Sequence, residues 1–145
     1  MQKNISFFSA IVLVIAILAG TASAADVTSV RVDFSDGSYA VVTTISHGMT
    51  RASVNDSKVY TYYDENGDRC FAYTLYATFQ YDGRTSSAED VDYTVRISQQ
   101  GWDISSHSEW TSGDTAYGRA VFTDPDGGRH SVSLSLTCDE DGNVS

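Results

Sequence analysis

Strict two-residue alternation between turn motifs is the feature of this sequence that most limits what it can fold into. Between residues 70 and 81 one row of side chains is apolar throughout: Phe71, Tyr73, Leu75, Ala77, Phe79 and Tyr81. Successive side chains of a β-strand point to opposite faces of the sheet. A six-membered apolar row that ends at Asp82-Gly83 therefore predicts a long strand near the centre of a sheet.

The same alternation recurs along most of the chain. It predicts further strands at residues 30–34, 39–45, 59–63, 91–97, 102–110, 116–123 and 131–138, separated by turns rich in Asp and Gly. The chain has one proline, and no segment shows a capped 3.6-residue apolar period. Seven to eight short antiparallel strands at this spacing predict an all-β, immunoglobulin-like β-sandwich, with a barrel as the less favoured alternative.

The first 24 residues have the organisation of a signal peptide. Lys3 precedes an apolar run at residues 5–19, and Ala22-Ser23-Ala24 matches a signal-peptidase site. The run is shorter than the roughly 20 apolar residues that a membrane-spanning helix needs. Thr21 also stands where a lipoprotein would carry its cysteine, and the polar C-terminal residues offer no anchor. We expect a signal peptide at residues 1–24 and a single secreted domain at 25–145, with no membrane association after cleavage.

The charge balance narrows the possible partners. The chain has 19 acidic and 9 basic residues, a net charge of −10, which becomes −11 once Lys3 is removed. An acidic surface disfavours nucleic acids and anionic membranes. It suits a soluble secreted protein, a cationic partner or a divalent cation.

Two cysteines, Cys70 and Cys138, are expected to pair in an oxidising compartment. Such a disulfide would stabilise the fold by roughly 4 kcal/mol through loop closure. Cys138 lies on the inward row of its strand, whereas Cys70 lies opposite the Phe71 row. A β-bulge or a position at the rim of the sandwich could bring them together, and the sequence does not decide between these alternatives.

Several segments resemble small secreted β-sandwich proteins of unknown function from Gram-positive, often gut-dwelling, anaerobic bacteria. They are residues 62–68, residues 79–83, Trp102 and residues 135–143. In this resemblance the shared features are turns, core aromatics and cysteines. Many such proteins place the upstream cysteine nearer Ser86-Ser87-Ala88. The resemblance implies secretion and the sandwich fold, and it implies no activity.

Three acidic turns are candidate calcium ligands, because oxygen-rich side chains are what Ca²⁺ prefers. None has the spacing of an EF-hand loop. Asp and Asn also favour turns without any metal, and glycine supplies positive φ, so we favour a structural role and expect no cofactor. The candidate ligands are Asp64, Asn66, Asp68, Asp124, Asp126, Asp139 and Asp141.

No catalytic constellation is evident in the sequence. His47, His107 and His130 are scattered, and no nucleophile elbow, zinc-binding His-Glu-x-x-His motif or phosphate-binding loop is present. We therefore expect a non-enzymatic protein.

Aromatic residues exceed what the predicted inward rows need. Exposed aromatic rings can stack on sugars or anchor a protein partner, although cross-strand pairs can also simply stabilise a sheet. The leading hypothesis is a secreted binding module for a protein or glycan partner. The alternatives are a small secreted hydrolase or toxin and a calcium-stabilised structural protein. The candidate ligand-binding residues are Tyr60, Tyr62, Tyr76, Trp110 and Tyr117.

Overall fold

The protein is an all-β sandwich of two antiparallel sheets. The structure, a computed structural model, describes residues 12–15, 25–47 and 52–145. Those residues contain no helix, and none of their elements could cross a membrane as a helix. The strands are β1 (Val12–Ile15), β2 (Asp26–Asp33), β3 (Tyr39–Ser46), β4 (Ser53–Tyr63), β5 (Arg69–Tyr81), β6 (Ser86–Ile97), β7 (Asp103–Ser112), β8 (Thr115–Thr123) and β9 (Arg129–Thr137).

Strand order follows chain order in both sheets. The larger sheet runs from β1 to β6, the smaller one from β7 to β9, and the chain passes between them once, after β6. Immunoglobulin sandwiches interleave their strands between the two sheets through Greek-key connections. The strand order here is a meander and differs from that arrangement. The sequence could not predict this difference, because the number and spacing of strands carry no information on which strands pair.

The predicted signal peptide lies mostly outside the described residues. The part of it that the structure describes is strand β1, which pairs antiparallel with β2 and places Val14 opposite Val30.

The core lies between the smaller sheet and β4–β6 of the larger sheet. The apolar row of β5 is the centre of it, since Phe71, Tyr73, Leu75 and Phe79 are fully buried. The strand itself lies next to the edge strand β6, not near the centre of its sheet as the alternation predicted. The smaller sheet contributes the other half through β8 and β9, with Ala116, Ala120, Phe122, Val132, Leu134 and Leu136. Neither β2 nor β3, as described, packs extensively against the smaller sheet.

The predicted disulfide is wrong, because the two cysteines lie at opposite ends of the sandwich. Cys70 is at the start of β5, whereas Cys138 follows β9 and its carbonyl accepts a bond from Ser86, which pairs with the last residue of β5. At about 3.3 Å per residue the length of β5 separates the cysteines by on the order of 30 Å. A disulfide needs Cα atoms within about 7 Å.

The bulge that the sequence left open does exist. Tyr62 pairs with Phe71 and Tyr63 pairs with Arg69, so Cys70 is the extra residue of a β-bulge. The bulge turns the Cys70 side chain into the interior, and both thiols are fully buried and free.

We expect both thiols to be unreactive in the native protein. Burial raises the pKa of Cys70 and of Cys138 to about 11, and the thiolate is the reactive form. At pH 8 a chromogenic thiol reagent should modify neither residue until denaturant is added, and then both. Peptide mapping without reductant that recovered Cys70 linked to Cys138 would contradict the separation of the two cysteines.

Candidate functional site

The acidic turns share one backbone design. In the turns that begin at Asp64, Asp124 and Asp139, the amide of the fourth residue bonds the carbonyl of the first. That fourth residue is a glycine with φ between 83° and 87°, a conformation that side-chain-bearing residues avoid. The Oδ1 atom of each leading aspartate accepts bonds from two amides of its own turn, at 2.7–3.0 Å.

The second oxygen of each leading aspartate also has a partner. Gln99 donates to Asp64 at 2.8 Å, Asn143 donates to Asp139 at 2.9 Å, and the Nε2 atom of His130 lies 3.0 Å from Asp124. These partners hold the pKa of all three carboxyl groups below the ordinary value of 3.8. Three of the candidate calcium ligands, Asp64, Asp124 and Asp139, thus use their carboxylates to build the turns.

The three turns do not form one cluster. The turns led by Asp64 and Asp124 lie at the end of the sandwich where β5 and β9 begin, and the Asp139 turn lies at the opposite end. Within the described residues no group of three or more His, Cys, Asp or Glu side chains could hold a metal ion. The Asp139 turn borders an open depression of about 620 Å³ that Arg84 also lines.

Stability should fall in acid because of these turns. A folded-state pKa below the unfolded value means that the stabilisation is present above the unfolded pKa and is lost as pH falls through the folded one. We expect the free energy of unfolding to decline below about pH 4, measured by urea titration at stepped pH.

Asp64→Asn keeps an oxygen acceptor for the turn amides but removes the carboxyl group that titrates. The free energy of unfolding of this variant should therefore decline less steeply in acid. Asp126→Asn, at an exposed turn position that accepts no bond from a turn amide, is the matched control. An acid profile of Asp64→Asn identical to that of the unmodified protein would exclude a contribution from the turn.

The candidate aromatics lie on three different surfaces. Tyr62 is 6% exposed on the inner face of the larger sheet, where its ring stacks on Phe71, and Tyr60 shares that face. Burial raises the pKa of both phenols. These two residues belong to the core, since the run Val59-Tyr60-Thr61-Tyr62-Tyr63 has too little polar contrast for the sequence to assign its faces.

Tyr76, Trp110 and Tyr117 do lie on outer faces. Tyr76 is 43% exposed on the larger sheet and Trp110 is 37% exposed on the smaller one. The rings of Trp110 and Tyr117 stack with centroids 5.2 Å apart and planes 10° apart. The smaller sheet thus presents a paired aromatic platform, and Tyr76 lies on the opposite side of the molecule.

The Trp110–Tyr117 pair belongs to one of three adjacent cross-strand rows on this sheet. We call the outward side chains of the three rows the Trp110 face. The register of β7, β8 and β9 aligns Trp110–Tyr117–Ser135, Ser108–Arg119–Ser133 and Ser106–Val121–Ser131. Arg119 places its guanidinium 5.4 Å from the centroid of the Trp110 ring. A depression of about 140 Å³ opens between these residues and is lined by Trp110, Tyr117, Gly118, Arg119, Ser133, Leu134 and Ser135.

A histidine–glutamate pair between the two sheets is the cluster that sequence reasoning missed. His107 Nδ1 lies 3.0 Å from Glu109 Oε2, and His107 Nε2 lies 2.8 Å from the Tyr93 hydroxyl. The Tyr73 hydroxyl donates to the other Glu109 oxygen at 2.6 Å. The signal was available, because residues two apart on a strand share a face.

This network ties β7 to β5 and β6 across the core. Glu109 is 11% exposed at its side chain and Tyr73 is fully buried. Gly118 leaves the space that the Tyr73 hydroxyl occupies, because a Cβ there would lie 2.4 Å from that oxygen. A buried hydroxyl needs a hydrogen-bond partner, and Glu109 supplies it.

Replacing Glu109 with alanine should destabilise the protein by about 2 kcal/mol, because the buried Tyr73 hydroxyl loses its acceptor. Chemical denaturation measures this loss. Adding Tyr73→Phe to the Glu109→Ala variant removes the orphaned hydroxyl and should recover part of the stability, giving a coupling energy in the double-mutant cycle. Strictly additive effects would mean that the two side chains do not interact.

The other histidines have separate surroundings. His130 lies 3.0 Å from Asp124, with its ring 5.0 Å from that of Tyr62 and 4.8 Å from that of Trp102. His47 is exposed, and its backbone amide donates to Asp56. Of the two histidines in described ion pairs, each meets a single carboxylate.

Comparison with known proteins gives no assignment: no protein-family model matches this chain, and no curated protein or solved structure matches it either. The chemistry of the sites described above is therefore the basis for a function.

Proposed function

We propose that this protein is a secreted, non-enzymatic binding module and that the Trp110 face is its ligand-binding surface. The observation that carries the proposal is the stacked Trp110–Tyr117 pair beside a depression of about 140 Å³ on the outer face of the smaller sheet. An exposed tryptophan on a flat sheet can stack on a sugar ring or anchor a protein side chain.

A line of hydroxyl groups along β9 supports binding of an extended ligand at this surface. Three consecutive outward residues of β9, Ser131, Ser133 and Ser135, are exposed, and their hydroxyls can both donate and accept hydrogen bonds. Antibody binding loops combine the same two features, aromatic rings that provide contact area and serine hydroxyls that provide adaptable hydrogen bonds.

A hydrolase is the second candidate, and the His107–Glu109 pair is what favours it. Both ring nitrogens of His107 already have protein partners, Glu109 and Tyr93. A general base must reach a proton on its substrate, so this arrangement favours an inter-sheet support over catalysis. An activity abolished by His107→Gln in a variant of unchanged stability would reverse that preference.

Immobilised saccharides and extracellular proteins, screened with the purified domain, test the binding proposal. Trp110→Ala should weaken a genuine interaction on the order of thirtyfold, as expected for a central aromatic anchor. Tyr76→Ala, at an exposed tyrosine of the opposite sheet, is the matched control and should bind normally. A ligand that Trp110→Ala still binds at full affinity would rule out this surface.

Secretion has its own test. N-terminal sequencing of the protein recovered from culture medium should give Ala25 as the first residue, because Ala22-Ser23-Ala24 is the expected cleavage site. An intracellular protein that retained Met1 would contradict this part of the proposal.

A further inference from the structure

The Trp110 face differs in charge from the rest of the molecule. The chain carries a net charge of −10, yet none of the nine outward residues of the three described rows is acidic. One of the nine, Arg119, is a cation, and it lies at the centre of the middle row between Ser108 and Ser133. The next row of this sheet, Asp103–Thr123–Arg129, adds one acid and one cation, so the outer face keeps a positive balance that lowers the repulsion an anion meets on this acidic protein.

Arg119 is exposed, and no carboxylate of the described residues forms an ion pair with it. Among the described ion pairs Arg31 is bound to Asp33, whereas Arg119 takes part in none and instead contacts the Trp110 ring. This contact holds the planar guanidinium beside the indole, where its outward N–H groups can bind a carboxylate or a sulfate through two parallel hydrogen bonds.

A second cation lies at the rim of the same face. The Lys58 ammonium reaches from the larger sheet and donates a 2.6 Å bond to the carbonyl of Ser135. Ser135 belongs to the aromatic row and lines the depression beside Arg119. Arg119 on β8 thus lines the depression, and the Lys58 ammonium lies against the backbone of Ser135 next to it.

We propose that the ligand of the Trp110 face is an anionic saccharide. One sugar ring packs against the exposed part of Trp110, the exocyclic carboxylate or sulfate pairs with Arg119, and ring hydroxyls bond Ser133 and Ser135. This assignment rests on the proposed function and adds the charge of the ligand. Lys58 contributes attraction at the rim.

The test uses four polysaccharides as probes: a polygalacturonate, its fully methyl-esterified form, a dextran sulfate and neutral dextran. Trp110 fluorescence reports binding in a Trp102→Phe background, since the chain has two tryptophans. We expect polygalacturonate to bind at least about tenfold more tightly than its methyl ester, with affinity that falls as salt rises. Binding of dextran sulfate without polygalacturonate would identify sulfate as the anion that Arg119 binds. Binding of dextran sulfate and polygalacturonate would mean that Arg119 accepts a sulfate or a carboxylate.

Arg119→Gln should lower the affinity for polygalacturonate about tenfold and so remove its advantage over the methyl ester. Arg31→Gln, on the opposite sheet, is the charge-matched control. Measurable binding of polygalacturonate and its methyl ester with equal affinity, unchanged by Arg119→Gln, would overturn the anionic assignment. A Trp110-dependent interaction with neutral dextran or with a protein would likewise overturn it and leave the proposed function intact. Failure of every saccharide and protein in the screen would overturn both.

Discussion

Replacing Phe71 with alanine should destabilise the protein by about 3–5 kcal/mol, the loss expected for a phenylalanine deleted from a well-packed core. Phe71 is fully buried, and its ring stacks on Phe122 of the facing sheet with centroids 3.8 Å apart. It also contacts the rings of Tyr62 and Trp102 at 5.4 and 5.2 Å. Its removal therefore opens a cavity where both sheets meet.

Denaturant unfolding, monitored by far-UV circular dichroism, measures this loss. A whole domain is stable by about 5–15 kcal/mol, so Phe71→Leu, with an expected cost near 1.5 kcal/mol, serves if the alanine variant does not fold. Tyr76→Ala, five residues further along the same strand and 43% exposed, should cost less than about 1 kcal/mol. Similar losses in Phe71→Ala and Tyr76→Ala would mean that the apolar row of β5 is not the core.

Gly118→Ala should cost about 3 kcal/mol, although it adds a single methyl group. A Cβ at Gly118 would lie 2.4 Å from the Tyr73 hydroxyl and 2.7 Å from Leu75 Cδ1, and both of those side chains are fully buried. The methyl group would force Tyr73 off its bond to Glu109 as well as crowding the interior. Thermal and denaturant unfolding should agree on the loss.

Gly113→Ala is the matched control for this substitution. Gly113 has φ of 60° and nothing within 4 Å of an added Cβ, so its replacement incurs backbone strain of about 1–2 kcal/mol without a clash. Tyr73→Phe should relieve part of the cost of Gly118→Ala and leave that of Gly113→Ala unchanged. Identical behaviour of the two glycine variants would contradict the close approach of β8 to β5.

Alternation predicted the strands well wherever one face is apolar and the other polar. Residues 39–45, 116–123 and 131–138 nearly coincide with β3, β8 and β9, because burial of one face imposes the two-residue period. Residues 53–58 form the first half of β4 yet escaped prediction. Asp56 is 2% exposed there, and its carboxylate accepts bonds from Ser46 Oγ and His47 N. A polar residue that is satisfied inside the fold looks like a loop residue in the sequence.

The candidate sites were predicted less completely than the strands. Trp110 and Tyr117 were identified as surplus aromatics, but their stacking and the alignment of Arg119 between Ser108 and Ser133 depend on strand register. The cysteine pairing failed for a related reason, since an even count of cysteines contains no information about which end of a sandwich each one occupies. Register and connectivity arise from tertiary packing, which local periodicity does not encode.

The unequal width of the two sheets has a consequence for motion. β2 and β3 extend past the smaller sheet, so that sheet does not cover the backbone hydrogen bonds between them, whereas it covers one face of β5. Segments with few packed neighbours open at lower free energy than the rest of a domain. In native-state hydrogen exchange we expect the β2–β3 amides to exchange through local opening, while the β5 amides exchange only through global unfolding.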